Sequence, residues 1–568
     1  HGTFLDRTAR RSGSANRGRQ TPTAARYSMV STTRWWPASG RPAAGGWMQS
    51  VRTQAWNGPC ARSNLRVSPE ADPIRSVGSG ASSRTRSSRG ARSSDRPRSS
   101  TSWTTSTVVM EPLAPSGVLV VMGCPPVRPA AHHTEGVGAA SDDSHTETSG
   151  RSVIRVRRSG PLSGSVRISG AKNSVLKLMA ASVLAPGRFT LHNVPRIADV
   201  ALMSELLEGM GATVAHGAAG SAPDVMTIDV PEVMVPEAPY DQVERMRASI
   251  VVLGPLLARF GEARVSVPGG DDFGHRPIDM HLRALEQLGA TFTTSHGYIQ
   301  GRAERLTGAQ VLLEYPSVGA TENLLMAAVR ARGTTVIDNA AREPEIADLA
   351  AFLNAMGAEV DGAGSSTITV EGVESLHPVT HTVVPDRIEA ATYLAAVGMA
   401  GGSIRLLGAR ADHMVMLLEK LGDMGLRVDD GGDVLVATAS DRLRSVDVST
   451  LPYPGVATDY KPLLVALLSV ADGVGILTEN VFAGRFRYIP ELVRMGADIR
   501  VEGHHAVVRG VDALSGAPVR APDIRAGAAL VVAGLAAEGE TVVADAEHVE
   551  RGYQDLVGNL ARLGADIS

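Results

Sequence analysis

A sixfold internal repeat constrains this chain more than any other feature. From Val153 onward, an apolar helical period ends in a Leu/Met-Gly-Ala signature, and a strand-like alternation follows. The copies are Leu207-Glu-Gly-Met-Gly-Ala212, Leu285-Glu-Gln-Leu-Gly-Ala290, Leu353-Asn-Ala-Met-Gly-Ala358, Leu421-Gly-Asp-Met-Gly425, Val493-Arg-Met-Gly-Ala497 and Leu560-Ala-Arg-Leu-Gly-Ala565. Their glycines recur roughly every 70 residues, longer than a solenoid unit but still a repeat. Leu202, Leu206, Leu207 and Met210 share one helix face. The glycine that follows supplies the left-handed residue that ends a helix, so these glycines read as structural punctuation. Ala358, Val360 and Ile368, Val370 alternate as strands with one buried face do. Strand and helix thus alternate, which predicts an α/β fold. Six units predict two globular halves of three units each.

The repeat begins only after a break in composition near residue 150. All five tryptophans and both cysteines (Cys60, Cys124) precede it, and no lysine precedes Lys172. Residues 1–150 are rich in Arg, Ser, Gly and Pro and carry neither a helical nor a strand period, so they bury too little apolar surface to offset chain entropy. Three readings stay open for this segment: a disordered leader, a basic nucleic-acid-binding arm, or upstream sequence that is not naturally translated, with Met110 or Met122 as starts. The apolar run from Val118 to Met122 is too short and too internal for a secretory signal. No run reaches the ~18 apolar residues of a membrane span. The formal net charge of −3 offers no bulk attraction to nucleic acid or anionic membrane. Two isolated cysteines make no disulfide framework, which fits a cytosolic chain.

Several short runs carry candidate chemistry. In Gly170-Ala-Lys-Asn173, Lys172 stands just before a helix expected over 174–185. A cation there is unfavourable for the helix dipole unless an anion shares the site, and the chain has only four lysines. A solvated turn lysine is the alternative. Arg247 opens an apolar stretch running to Phe260. Pro268-Gly-Gly-Asp-Asp-Phe-Gly-His-Arg-Pro277 has the composition of a loop that closes over a substrate. At its far end Arg276 offers a planar guanidinium suited to phosphate, and Asp279 and His281 follow on a short helix. Without further context, adjacent aspartates in a glycine loop are an ordinary turn. Pro316-Ser-Val-Gly-Ala-Thr-Glu-Asn323 is a glycine turn feeding a helix expected over 321–331, whose free N–H groups suit a diphosphate or need only a cap. The acidic residues of Arg342-Glu-Pro-Glu345 are explained by the helix dipole. Asp459, in Pro454-Gly-Val-Ala-Thr-Asp-Tyr460, precedes an apolar helix. Glu479-Asn-Val-Phe-Ala-Gly-Arg-Phe486, Asp523-Ile-Arg525 and His548-Val-Glu-Arg-Gly-Tyr553 complete the series. No metal-ligand spacing and no nucleotide-cofactor fingerprint occurs, so no cofactor and no metal are expected.

In this order and spacing, over 153–568, these runs resemble the enolpyruvyl transferase family. The resemblance implies a two-domain inverted α/β barrel of six βαβαββ-like units, helices inside and sheets outside, with the active site in the interdomain cleft. It implies one domain from 151–171 plus 386–568 and another from 172–385, with crossings near 170–173 and 385–387. It implies transfer of an enolpyruvyl group from phosphoenolpyruvate to the 3′-hydroxyl of UDP-N-acetylglucosamine, the nucleotide-sugar branch. The shikimate 3-phosphate branch and a non-catalytic UDP-sugar sensor are the rivals.

The resemblance also assigns roles. Lys172, Asn173, Arg276 and Arg551 hold phosphoenolpyruvate. Asp271 is the proton donor to its methylene carbon, where most members have cysteine. Asp459 is the base at the sugar hydroxyl. Arg247, Pro277, Ile278, Asp279, Met280, Tyr315, Pro316, Ser317, Val318, Gly319, Val481, Arg485, Asp523 and Arg525 contact the nucleotide sugar or line the cleft. Two departures stand out: Tyr315 lies where many relatives have a lysine, and so does Ala198, whose anion contact is lost or taken over by Arg196. An aspartate of ordinary pKa ~3.9 needs a shift of about 3 units, ~4 kcal/mol, to act as an acid at neutral pH. With no cysteine after residue 150, insensitivity to fosfomycin, which alkylates the family's loop cysteine, is expected.

Overall fold

The computed structural model describes residues 152–568, except 218–221, 244, 268–276 and 483. The 1–150 segment lies outside the described residues, as do Asp271 and Arg276. The described residues fall within one compact unit, Gly136–Ser568.

Their strands form six small sheets with one shared plan. In a representative sheet, Gln310–Leu312 runs parallel to Thr334–Asp338, which pairs antiparallel with Thr367–Glu371, which pairs antiparallel with Glu359–Asp361. Alternate residues point inward, Thr335 and Ile337 being buried, and the pleat dictates that periodicity. Five sheets have four strands. The sixth has three, Val153–Arg157, Glu540–Ala544 and Pro518–Arg520, with Ile567 bridging Val156 where a fourth would lie.

Chain order and sheet order part company at the ends of each half. Thr380–Thr382 pairs with Gly187–His192, so residues just before 385 close a ring that began near 187. Leu162–Arg167 pairs with Gly402–Leu407, and Val153–Arg157 with Glu540–Ala544, so the N-terminal strands complete sheets of the C-terminal segment. Two hydrophobic cores result. One gathers buried residues from 154–168 and 388–563, the other from 175–383.

Helices fill both cores. Lys172–Ser182, Val318–Ala328, Arg387–Ala400, Lys461–Val470 and Ile524–Gly534 are buried almost all round, and the 3₁₀ turn Arg247–Val252 leading into Leu253–Phe260 takes the remaining inner place. Helices so enclosed must be apolar on every face, which accounts for their Ala- and Val-rich sequences. An outer set runs Ala198–Gly209, Asp279–Gln287, Pro344–Ala355, Val415–Met424, Ile489–Arg494 and Leu556–Arg562. Each outer helix leads into its repeat glycine, and all six of those glycines have φ between 93° and 109°. An L side chain resists that conformation, so the repeat signature is helix punctuation, as expected.

Two inner helices begin earlier than the sequence suggested. Lys172 lies within the first turn of its helix, because Ala171 already supplies the extended cap position. The 318–328 helix starts three residues before Thr321, because the Ser317 side chain accepts the Ala320 N–H.

The chain passes between the cores twice, and the two passages are stitched together. Ala171 N donates to Val384 O (2.7 Å), and Asp386 N donates to Ser169 O (2.8 Å). Asp386 Oδ1 caps its own helix through Ile388 N (2.7 Å) and Glu389 N (3.1 Å), while Oδ2 accepts Lys172 N (3.1 Å). A Cβ at Gly170 would lie 1.8 Å from Asn193 O, so only glycine fits at this passage.

Candidate active site

Four of the inner helices carry a cation in their first turn: Lys172, Arg387, Lys461 and Arg525. The positive end of the helix dipole opposes each, so each requires a nearby anion. The structure supplies one every time. Lys172 Nζ meets Asp199 Oδ2 at 2.8 Å. The Arg387 guanidinium grips Glu345 through Nε (3.0 Å) and Nη2 (3.3 Å) and donates to Tyr460 Oη (3.2 Å). Lys461 Nζ meets Glu479 Oε2 at 2.8 Å. Arg525 Nε lies 3.7 Å from Asp459 Oδ2.

These pairs converge where the two cores meet. Asp199 belongs to the first core's outer helix 198–209, yet its other oxygen accepts Arg551 Nε from the second at 2.8 Å. Burial lowers the Lys172 pKa; Asp199 opposes this, and Arg525 and Arg551 add to the lowering, so the ammonium shares one electrostatic neighbourhood with both guanidiniums. Asp459 accepts Arg485 Nη1 at 2.7 Å. Burial alone would raise its pKa, but Arg485 and Arg525 outweigh it and hold the carboxyl well below the usual range. The Arg525 guanidinium lies 5.4 Å from the Tyr553 ring, whose hydroxyl meets Thr392 Oγ1 at 2.9 Å. Gly552 permits this packing, because a Cβ there would lie 2.4 Å from Ile524 Cγ2.

Lys172, Arg485, Arg525, Arg551 and Asp459 therefore form one contiguous network. Asn173 follows Lys172 and is half-buried. The Asp523 carboxylate caps its helix through Arg525 N and Ala526 N, both at 2.9 Å. Val481 is half-buried, and its N–H is fixed by Glu479 Oε1 at 2.8 Å.

A second group sits in the first core around His281. Asn323 holds it together: Oδ1 accepts Gly254 N (2.8 Å), and Nδ2 donates to Ile250 O (3.1 Å) and lies 2.8 Å from His281 Nδ1. Burial, reinforced by Arg247, pushes the His281 pKa down to about 4, so the imidazole is neutral at physiological pH. Gly319 abuts that ring, and a Cβ there would lie 2.9 Å from His281 Cε1. Arg247, Pro316, Ser317 and Val318 are half-buried beside this group. Pro277, Ile278, Asp279 and Met280 lead into its helix, with Asp279 Oδ2 3.5 Å from Arg283. Tyr315 has its pKa pushed up to about 12 by burial, then by Glu343 and by Glu479 of the other core. It is thus a neutral donor, not a cation. The Arg196 Nε donates to Pro223 O at 3.1 Å.

Several members were not singled out from sequence: Asp199, Asp386, Arg387 and Tyr553. Glu345 was read as a dipole partner only, whereas its carboxylate is committed to Arg387 across the passage between cores. A lone Arg or Asp at a helix start has no sequence signal that names its distant partner. Among the described residues, no cluster of three His, Cys, Asp or Glu could hold a metal ion, and no helix is long and apolar enough to cross a membrane.

Comparison with known proteins places this geometry. The family model for EPSP synthase (3-phosphoshikimate 1-carboxyvinyltransferase) matches residues 156–560. A Mycobacterium tuberculosis protein called UDP-N-acetylglucosamine 1-carboxyvinyltransferase is 52% identical over 406 residues, covering 72% of this chain and 96% of the relative. A Gluconacetobacter diazotrophicus protein of the same name is 52% identical over 409 residues, with the same two coverages. Among solved structures, the enolpyruvyl transferase NikO from Streptomyces tendae aligns with a TM-score of 0.67 at 30% identity, over 73% of this chain and 98% of that one. EPSP synthase from Acinetobacter baumannii, at 18% identity and a TM-score of 0.59, covers 73% and 99% and shows the shared fold.

Proposed function

The chain belongs to the EPSP synthase family of enolpyruvyl transferases, and from that premise we propose that it transfers the enolpyruvyl group of phosphoenolpyruvate to the 3′-hydroxyl of UDP-N-acetylglucosamine, releasing phosphate. This is the first committed step toward peptidoglycan precursors. The reading rests on one observation above the others. Relatives bearing that name match over 96% of their length at 52% identity, and residues from separate runs of this chain converge on one cationic network. Asp459, Lys172 and Arg551, drawn from separate repeats, lie within that network.

The chemistry follows from the charges. Lys172 and Arg551, with Arg276 from the loop, bind the donor's phosphate and carboxylate, and fixed cations also stabilise the charge carried through the tetrahedral adduct. Asp271 protonates the methylene carbon, making the adjacent carbon electrophilic. The sugar 3′-hydroxyl attacks it beside Asp459. Held so acidic by Arg485 and Arg525, Asp459 is a weak equilibrium base, so it takes the proton as the new C–O bond forms rather than before. Loss of phosphate then restores the enol ether. Asn173 stands with Lys172 at the donor, while Arg247, Tyr315, the 316–319 turn, the 277–280 segment, Val481, Asp523 and Arg525 orient the nucleotide sugar. Tyr315 contributes a hydrogen bond and no charge. We assign the reaction to the cytoplasm, consistent with a chain whose two cysteines make no disulfide framework, and expect it to persist in fosfomycin because Asp271 offers no thiol.

The test mixes the full chain with phosphoenolpyruvate and UDP-N-acetylglucosamine and measures phosphate release. Turnover is expected, with none when shikimate 3-phosphate replaces the nucleotide sugar. The opposite preference would overturn the reading. Asp271→Asn should bind both substrates and lose at least about 100-fold in kcat, the usual weight of a general acid; unchanged kcat removes Asp271 from that role.

A further inference from the structure

We propose that Asp199 is a positioning residue for the phosphoenolpyruvate seat, a single carboxylate that holds one donor-binding cation from each half of the molecule in register. The inference rests on the proposed reaction and adds to it a residue outside the substrate-contacting set.

The geometry carries it. Asp199 stands in the first turn of the 198–209 helix, where the helix dipole favours a carboxylate. Its side chain is 3% exposed, so the charge is enclosed and needs partners. Both partners are cations placed in the seat: Lys172 Nζ at 2.8 Å on Oδ2 and Arg551 Nε at 2.8 Å on Oδ1. A second guanidinium nitrogen of Arg551 lies 3.5 Å from Oδ2. Lys172 starts an inner helix of one core, and Arg551 follows the last inner helix of the other. Asp199 Oδ atoms therefore span the boundary that substrate must bridge. The neighbouring Arg196 N donates to Gln554 Oε1 at 2.8 Å, so the backbone beside Asp199 is also fastened to the segment that carries Arg551.

The charged groups around Lys172 give the consequence its sign. Asp199 faces the ammonium from the 198–209 helix, Arg525 from the 524–534 helix and Arg551 from the segment after it, while Asp386 binds the Lys172 backbone N–H. Burial and the two guanidiniums favour a neutral lysine, and Asp199 is the anion that keeps it charged. Removing that anion should let Lys172 lose its proton at lower pH, and a neutral lysine holds the donor less well. The acceptor, which does not touch Lys172 in this reading, should be unaffected.

The experiment measures kcat/KM for phosphoenolpyruvate against pH, with KM for UDP-N-acetylglucosamine in parallel, for the parent, Asp199→Asn and Asp199→Glu. In Asp199→Asn the alkaline limb for the donor should move down by about one pH unit or more, the effect of removing an opposite charge at contact distance. At a pH above that limb, kcat/KM for the donor should fall about tenfold or more, with acceptor KM within about twofold of the parent. Asp199→Glu keeps the charge and should restore the limb. An unmoved limb in Asp199→Asn, or donor and acceptor KM rising together, would reduce Asp199 to a structural ion pair. If Asp199→Asn does not fold, the parent and Asp199→Glu decide the matter: a limb displaced in the charged variant overturns the proposal. Turnover by the parent tests the reaction itself, so failure of the two ideas is told apart.

Discussion

Lys172 and Lys461 occupy the same place in two repeats. Each opens a buried inner helix, and each has a carboxylate oxygen 2.8 Å from its ammonium. They differ in what surrounds that contact. Lys461 and Glu479 are both 0% exposed, and Glu479 also accepts Thr450 Oγ1, Thr458 Oγ1 and the Val481 and Phe482 N–H groups. Lys461 Nζ bonds to Arg485 O as well. That pair is enclosed, and both carboxylate oxygens already accept at least two donors. The Lys172 side chain keeps 10% exposure, and its carboxylate is shared with a second cation from the other core. One ion pair anchors a loop, whereas the other belongs to a network with surplus positive charge, the proposed donor seat. Repetition of a motif therefore does not repeat its function; the number and sign of the neighbours decides.

Substitution separates the two most sharply. Lys172→Met should abolish phosphate release, by roughly 10³-fold or more if it removes a charge contact made in the transition state, while leaving thermal stability near that of the parent. Lys461→Met should do the reverse per folded molecule, destabilising by about 3–5 kcal/mol because Glu479 is left as a buried charge without its ion-pair partner. Denaturant titration beside turnover reads both. Equal losses of stability in the two variants would break the contrast.

Asp459 tests whether a carboxylate between two guanidiniums belongs to the seat or to the anchor. Asp459→Asn should lower kcat by about 100-fold, as loss of a general base does, with smaller changes in either KM. If stability falls steeply and kcat does not, Asp459 is a brace for Arg485 and Arg525, like Glu479 for Lys461.

The contrast also shows what the residue string could and could not yield. The sixfold period, its glycine stops and strands with one buried face were legible, because helix punctuation and pleat alternation are local. Two of the four cationic helix starts were legible, because Lys172 and Arg525 sit in short recognisable runs, whereas Arg387 and Lys461 do not. The counter-anions were not. Asp199 and Lys172 are neighbours only because the chain folds back, and the run holding Asp199 drew notice for Ala198 instead. Glu345 looked fully explained by its own helix, although Arg387 claims it. Local logic names the charges; only the assembled cores say which charge answers which.

A third lysine refines the comparison with the smallest expected effect. Lys177 lies on the same helix as Lys172, and its Nζ is 3.5 Å from Glu322 Oε1, a longer contact than either 2.8 Å pair. That ammonium also donates to Asn173 O at 2.9 Å. For Glu479, burial is outweighed by Lys461 and the donors around it, and the carboxyl sits below its ordinary pKa. For Glu322, burial wins over the looser Lys177, with Glu345 and Glu343 adding to it, and the pKa is pushed up to about 7. A folded-state pKa above the unfolded value means the folded protein binds more protons between about pH 4.5 and 7. The stability contributed is present in full below that window and is lost as pH rises through about 7. Glu322→Gln cannot ionise, so its stability should lack that fall. Between pH 5 and pH 8 the parent should lose about 2 kcal/mol relative to Glu322→Gln, measured by denaturant unfolding at each pH. A parent whose stability instead tracks the variant across this range would mean that Lys177 holds Glu322 ionised, and that contact distance does not separate these pairs.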